Sequence, residues 1–438
     1  MHRTPLERWI AGKIGAVNGG LTQRSLVEYQ LAKLRETVAW ARAKSPFYAE
    51  RLKGCSEDGL SSFEDFRRLP LTTSDDLRRH GLQFLCVSQG DINRVVTLET
   101  SGTSGAPKRV FFTAEDQELT IDFFRVGMSE LADPGDSVLI ALPCERAYSV
   151  GDLLATALSH NGVQPLRAGP IAEPLATIEF MRREPVDCVV GLPVQILSLV
   201  RSGVDAIDAR GHFPRRVLLC SDHVPDSIVR AIRQAWNCEV FEHYGMTEMG
   251  LGGGVDCEAH CGYHLREADL YLEIVDEETG ATVPPGEPGE IVFTTLTRRG
   301  MPFIRYRTGD ISRVLPGRCD CGSTLQRIER VRARQGAQVP VGARGRITMA
   351  TLDEALFAVS DLQRFTADII PGSPATLRVV VAGSTKERAL ADKAYAALER
   401  VPAIRAASSY RELRVVVQVA PDGIPASTAK RRIAECAS

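Results

Sequence analysis

No run of about 18 consecutive apolar residues, the length a membrane-crossing helix needs, occurs anywhere in the 438-residue chain. The opening segment MHRTPLERWIAGKIGAVNGG has charged residues scattered through it, unlike the apolar centre of an export signal. Both absences point to a protein that stays in the cytoplasm. A charge bias is missing as well. The 53 basic and 55 acidic residues nearly cancel, leaving no electrostatic footprint for nucleic acid or an anionic membrane. An odd count of 11 cysteines without an export signal argues against a disulfide framework. Internal repeats and low-complexity tracts are absent too. The composition, 44% hydrophobic and 25% charged, is that of globular material whose default partner is a small molecule.

Among what is present, seven cysteines (Cys55, Cys86, Cys144, Cys188, Cys220, Cys238 and Cys436) are scattered singly and read as small hydrophobes in packing. Leu26, Leu31, Leu34, Val38 and Ala41 recur at helical spacing before the Ser45-Pro46 break, so the chain opens with helices. From Val95 to about Leu325, β-rich runs (137–142, 186–190) alternate with helical stretches (151–160, 226–236), which predicts an α/β fold with largely parallel strands. From Tyr271 the texture changes to strands divided by turns: 271–276, the Pro284-Pro285-Gly286 turn, then 289–295. This predicts a β-rich subdomain. After about Val331 a helix (352–359), strands (365–370, 377–381), a helix (386–400) and a strand (413–419) follow in the order of a split β-α-β unit. The expected division is a large domain of mixed sheets over 1–330 and a small α+β domain over 331–438.

The most informative stretch is TSGTSGAPK, Thr100 to Lys108, set between two β-rich runs. Gly102 and Gly105 let backbone amides approach an anion, while Thr100, Ser101, Thr103 and Ser104 supply hydroxyl donors. It is not a Walker loop, because Pro107 and Arg109 flank the lysine where Gly and Ser/Thr would be needed. The string resembles the phosphate-binding signature of the adenylate-forming enzymes. FEHYGMTE, Phe241 to Glu248, resembles that family's second signature, and RYRTGD, Arg305 to Asp310, its third. The resemblance implies ATP and Mg²⁺ as cofactors. Tyr244, followed by Gly245, would stack on adenine, Thr247 would meet the α-phosphate, Glu248 would hold Mg²⁺ and Asp310 would accept the ribose hydroxyls. An aromatic face suits a purine, and a carboxylate near a triphosphate needs a cation between them.

The likeness runs from about Leu26 to Lys430. KSPFYAERL with LSSFEDFRRLPLTTSDDLR after it resembles the N-terminal region of phenylacetate-CoA ligases. Ser221, Asp222 and His223 stand where that branch reads Gly-Ala-Glu, in a segment lining the nucleotide and acyl pocket, a departure that weighs against phenylacetate itself. By analogy the region from Cys144 to Leu154, with Tyr148 and Ser149, contributes to the acyl pocket. GIPASTAKRRI resembles the family's last signature, in which Lys430, carried on a mobile C-terminal domain, would stabilise charge between the carboxylate and the α-phosphate. At the joint, Arg334 is kept as a ribose ligand, and Gly336 replaces the expected hinge acid; glycine can absorb the dihedral change of a hinge.

Cys257, His260, Cys261 and His264 lie close together, and Cys319 and Cys321 form a C-x-C pair further on. Two such clusters can close a tetrahedral shell, and zinc is the natural ion. Relatives in the branch resemble a pattern that selects Cys257, His264, Cys319 and Cys321. A shell filled by four protein ligands leaves no open position for water, so the zinc is read as structural. Activation of a carboxylic acid to acyl-AMP, then transfer to CoA, is the function the resemblance implies. An activator that hands its acyl group to a carrier protein or an amine, and a zinc-stapled nucleotide-binding protein of little activity, stand as rivals. A homodimer stays open.

Overall fold

Polar residues placed just ahead of the periodic runs start the N-terminal helices. Thr22 and Ser25 form a capping box on the helix Gln23–Lys44, Ser45 caps Pro46–Arg51, and the Ser62/Asp65, Thr73/Asp76 and Thr113/Asp116 pairs cap Phe63–Arg67, Ser74–His80 and Ala114–Met128. Each pair satisfies amides that the first helical turn leaves without partners. The computed structural model describes all residues except 1, 17–19, 56–59, 99–106, 208–212, 344, 384–387, 422, 428–429 and 436–438. The chain forms two units rather than parting at a single cut. One comprises 1–130, 146–162 and 243–331, the other 131–145, 163–242 and 332–438, so one edge falls between Val331 and Arg332.

In the first unit, strands Arg94–Leu98 and Lys108–Phe112 form an antiparallel hairpin with Leu98 opposite Lys108. Leu270–Val275, Gly289–Thr295 and Tyr306–Ser312 form an antiparallel meander. Its first two strands are buried along their whole length. Gly254–Val255, Tyr263–Leu265 and Arg327–Ile328 pair antiparallel beside the last residues of Glu239–Tyr244. A core rich in aromatics (Tyr48, Phe66, Phe84, Phe293, Phe303, Tyr306) joins the N-terminal helices to the meander.

In the second unit, Gln164–Arg167, Ser137–Ala141, Cys188–Gly191, Arg216–Leu219 and the start of Glu239–Tyr244 lie side by side, all parallel. Ser137–Ala141 and Cys188–Gly191 are wholly buried, as continuous apolar runs in a covered parallel sheet should be. The strand expected over 186–190 starts two residues later, because Asp187 is used at the strand's entrance: its carboxylate accepts from the Ser137 amide at 2.9 Å. The C-terminal sheet has the order Leu413–Val419, Ala375–Gly383, Leu362–Ile370, Ala434–Glu435, mixing parallel and antiparallel pairs. A single apolar core runs through the unit, from Leu139 and Val189 to Phe357, Val379 and Leu413. Every described cysteine is a free thiol, and no helix among the described residues is long and apolar enough to cross a membrane.

Candidate active site and metal cluster

The hairpin returns the chain to Lys108 after a connection whose residues Thr100, Ser101, Gly102, Thr103, Ser104 and Gly105 lie outside the described residues. Lys108 Nζ donates to Glu248 Oε1 at 2.7 Å, and the Tyr306 hydroxyl donates to the same oxygen at 3.1 Å. Glu248 is 1% exposed, so its charge is held by a cation and a hydroxyl rather than by water. It sits in the short turn Thr247–Met249 that follows the strand Glu239–Tyr244. Gly245 lies between strand and turn, where a Cβ would stand 2.3 Å from the Leu251 carbonyl oxygen, so any side chain would force the turn apart. Thr247 is half-buried on the same turn.

Arg298 ties the two motif-bearing segments together. It donates to the Glu248 carbonyl at 2.9 Å and to the Phe111 carbonyl at 2.7 Å, with its guanidinium 4.2 Å from the Phe112 ring centroid. Neither Tyr306 nor Arg298 stands out as functional in the sequence. Tyr306 carried a signal, since it lies inside RYRTGD; Arg298 carried none, because its partners are distant in the chain. Within RYRTGD the arginines are structural. Arg305 forms a two-pronged pair with buried Glu273 at 3.1 and 3.0 Å, and Arg307 pairs with Glu290. Asp310 accepts instead from the Tyr244 hydroxyl at 3.1 Å, and Tyr244 stacks near Tyr263 with centroids 6.0 Å apart. The first unit therefore brings Lys108, Glu248, Tyr244 and Asp310 into two bonded pairs.

In the second unit, Ser221 and Asp222 follow the carboxyl end of the parallel strand Arg216–Leu219, and Ser221 adopts a left-handed φ of 71°. Ligands of open α/β sheets bind beyond such strand ends. Asp222 accepts from the His223 amide at 2.9 Å. Burial pushes its carboxyl up, while the His223 amide and the charges of Arg431 and Lys430 pull it down. Lys430 itself is exposed, as is Arg334 on the short strand Ala333–Arg334.

Four of the six candidate metal ligands converge. The donor atoms of Cys257, His264, Cys319 and Cys321 all lie within 4.8 Å of one another, and all four residues are buried. Cys257 Sγ stands 3.7 Å from Cys319 Sγ, and Cys321 Sγ 3.4 Å from His264 Nε2. A tetrahedral ion with bonds of about 2.3 Å to sulfur and 2.0 Å to nitrogen spaces its donors about 3.5–3.8 Å apart, so these distances fit zinc. His260 turns away to Asp256, Nδ1 to Oδ2 at 2.7 Å, and the Cys261 thiol donates to the Ala259 carbonyl at 3.1 Å. Burial pushes the Cys257 and Cys321 thiols up and the His264 imidazole down to about 4. Thiolates here require a cation among them.

Residues 94–296 match the model of the AMP-binding enzyme family. The chain is 28% identical over 309 residues to a phenylacetate-coenzyme A ligase of Pseudomonas putida, covering 67% of each protein. It is 28% identical over 326 residues to a phenylacetate-coenzyme A ligase of Thermus thermophilus, covering 70% of each. Among solved structures it resembles a 2-hydroxyisobutyryl-CoA ligase in the postadenylation state in complex with 2-HIB-AMP, with a TM-score of 0.77, 20% identity and coverage of 94% of this chain and 89% of the other. The fold is that of the adenylate-forming CoA ligases, α/β with mixed sheets.

Proposed function

We propose that this chain, which matches the AMP-binding enzyme family over residues 94–296 and resembles phenylacetate-coenzyme A ligases, activates a carboxylic acid with ATP and transfers the acyl group to CoA. The observation that carries this reading is the Lys108–Glu248–Tyr306 group, where a phosphate-loop lysine and a buried carboxylate from the second motif meet at 2.7 Å. In the first step a carboxylate oxygen attacks the α-phosphorus, the bond from that phosphorus to the bridging oxygen breaks, and pyrophosphate leaves. Lys108 exchanges its carboxylate partner for the departing phosphates, and hydroxyls and amides of the 100–105 loop bind the same oxygens. Glu248 would then hold Mg²⁺, which supplies charge neutralisation at the phosphates. Thr247 contacts the α-phosphate, Tyr244 presents its ring to adenine, and Asp310 and Arg334 receive the ribose. Ser221 and Asp222 line the nucleotide pocket from their strand end. Lys430 bridges the developing negative charge between carboxylate and α-phosphate.

In the second step a thiolate sulfur attacks the acyl carbon, the carbon–oxygen bond to AMP breaks, and AMP leaves. Residues 331–438 act as the mobile domain of this step, with 1–330 as the body. Gly336 has a φ of 71°, a conformation glycine adopts without strain, so the residue at the family's hinge-acid position suits a backbone swivel. Cys257, His264, Cys319 and Cys321 would hold a zinc ion in a structural role, bracing the loops that carry them. Work in the cytoplasm on a small acid, ATP and CoA follows from this reading. Mass spectrometry of acyl-CoA and AMP, after incubation with ATP, Mg²⁺, CoA and a panel of arylacetates, benzoates, fatty acids and 2-hydroxy acids, tests it. Acyl-CoA with equimolar AMP is the expected product. Acyl-AMP accumulating unchanged by CoA would instead select the rival that transfers the acyl group to a carrier protein or an amine.

A further inference from the structure

Lys430 is exposed, whereas its neighbour Arg431 is anchored. The Arg431 side chain is 17% exposed and pairs with Asp353, itself 4% exposed, from the helix Met349–Leu356. Its Nη2 reaches the Phe365 carbonyl at 3.4 Å, and its guanidinium carbon lies 4.3 Å from the Phe365 ring centroid and 5.0 Å from that of Phe357. The two rings stand 5.2 Å apart and face the planar cation, an arrangement that suits arginine far better than lysine. Upstream, Arg364 donates to the Ile424 carbonyl at 2.8 Å and Gln195 to the Ser427 carbonyl at 3.3 Å. Described residues on both sides of the exposed lysine are thus fastened.

A lysine ammonium on a four-carbon stem loses much rotamer freedom when it must meet one point, and misplacement by about 1 Å can cost on the order of 100-fold in rate. Fixing the backbone one residue away removes much of that search. We propose that Arg431 is the positioning residue for Lys430: clamped by Asp353, the Phe365 carbonyl and the rings of Phe357 and Phe365, it fixes the backbone from which the neighbouring ammonium projects. This rests on the role assigned to Lys430 in adenylate formation. Because Lys430 is assigned to adenylate formation, the effect of Arg431 acting through it belongs to that step.

The test measures the two half-reactions separately on the full chain. Pyrophosphate release is followed with the arylacetate, benzoate or 2-hydroxy acid that gives the greatest rate, and thioester formation with the matching synthetic acyl-AMP and CoA. Arg431→Ala should lower kcat for pyrophosphate release about 10- to 100-fold with the KM for ATP unchanged. Thioester formation should stay within about twofold, and Arg431→Lys should recover part of the loss. Thermal unfolding of each variant establishes that it is folded. Wild-type pyrophosphate release in Arg431→Ala, beside a dead Lys430→Ala, would overturn the proposal, as would an equal fall of both half-reactions. Full pyrophosphate release by Lys430→Ala would instead remove the assignment of Lys430 on which the proposal stands.

Discussion

The first unit buries negative or potentially negative groups in three ways. Glu248 carries its own counter-charge in Lys108, at 2.7 Å. The donor atoms of Cys257, His264, Cys319 and Cys321 are drawn together within 4.8 Å, a set that could take an ion from outside. Glu267 is buried with neither arrangement: burial pushes its carboxyl up to about 7, opposed by the Gln326 amide that donates to it at 2.8 Å. The comparison separates structure from chemistry. A charge held by a flexible lysine can be released to a phosphate, whereas a shell of four side chains is closed and can only brace what surrounds it.

The metal cluster should show the largest effect when broken. Cys319→Ala is expected to abolish one equivalent of bound zinc per chain, read by elemental analysis, and to cost at least about 5 kcal/mol of stability, since structural zinc supplies folding energy directly. Retention of both zinc and stability would show that the convergence is a thiol cluster only. Next in size, Lys108→Ala should lower acid-dependent pyrophosphate release on the order of 100- to 1,000-fold, the scale of losing one charge stabiliser, while leaving zinc content unchanged. If zinc were lost as well, the two sites would not be independent.

Glu267 supplies a pH test. Its folded pKa of about 7 lies above the ordinary 4.5, so the folded chain binds more protons than the unfolded chain between those values. Its contribution is therefore fully present below about pH 4.5 and lost as pH rises through about 7, by up to roughly 3 kcal/mol. Glu267→Gln should flatten the fall in urea midpoint between pH 5 and about 8 relative to wild type; parallel profiles would show that the carboxylate is not the group responsible. The smallest effect belongs to Tyr244→Phe, which removes the 3.1 Å bond to Asp310 but keeps the ring. About 1 kcal/mol, a KM for ATP raised about fivefold with kcat unchanged, is the expected cost. A fall in kcat instead would place the hydroxyl in the chemistry.

Elements whose patterns are local were legible in the sequence. The helix Asp226–Trp236 and the strands Gly289–Thr295 and Leu413–Val419 have the boundaries expected of them, because caps, turns and apolar runs lie within each segment. The helix Pro402–Ser409 went unrecognised although Pro402 stands at its first turn, where proline is welcome. Its short run of alanines and serines carries little periodic signal. The division of the core was also hidden, since 332–438 shares apolar contacts with strands more than a hundred residues earlier. At the site, motif strings located Lys108, Tyr244, Glu248 and Asp310, but not what each touches. Arg298 was invisible because its value lies in two carbonyls, those of Phe111 and Glu248, which only the folded chain brings to one guanidinium.

Acid-dependent release of pyrophosphate from ATP and Mg²⁺, measured without CoA across the acid panel, tests the central claim most directly. The account predicts release with at least one acid class and its near-disappearance in Lys108→Ala. ATP binding without release for any acid would contradict it and leave a zinc-braced nucleotide-binding protein.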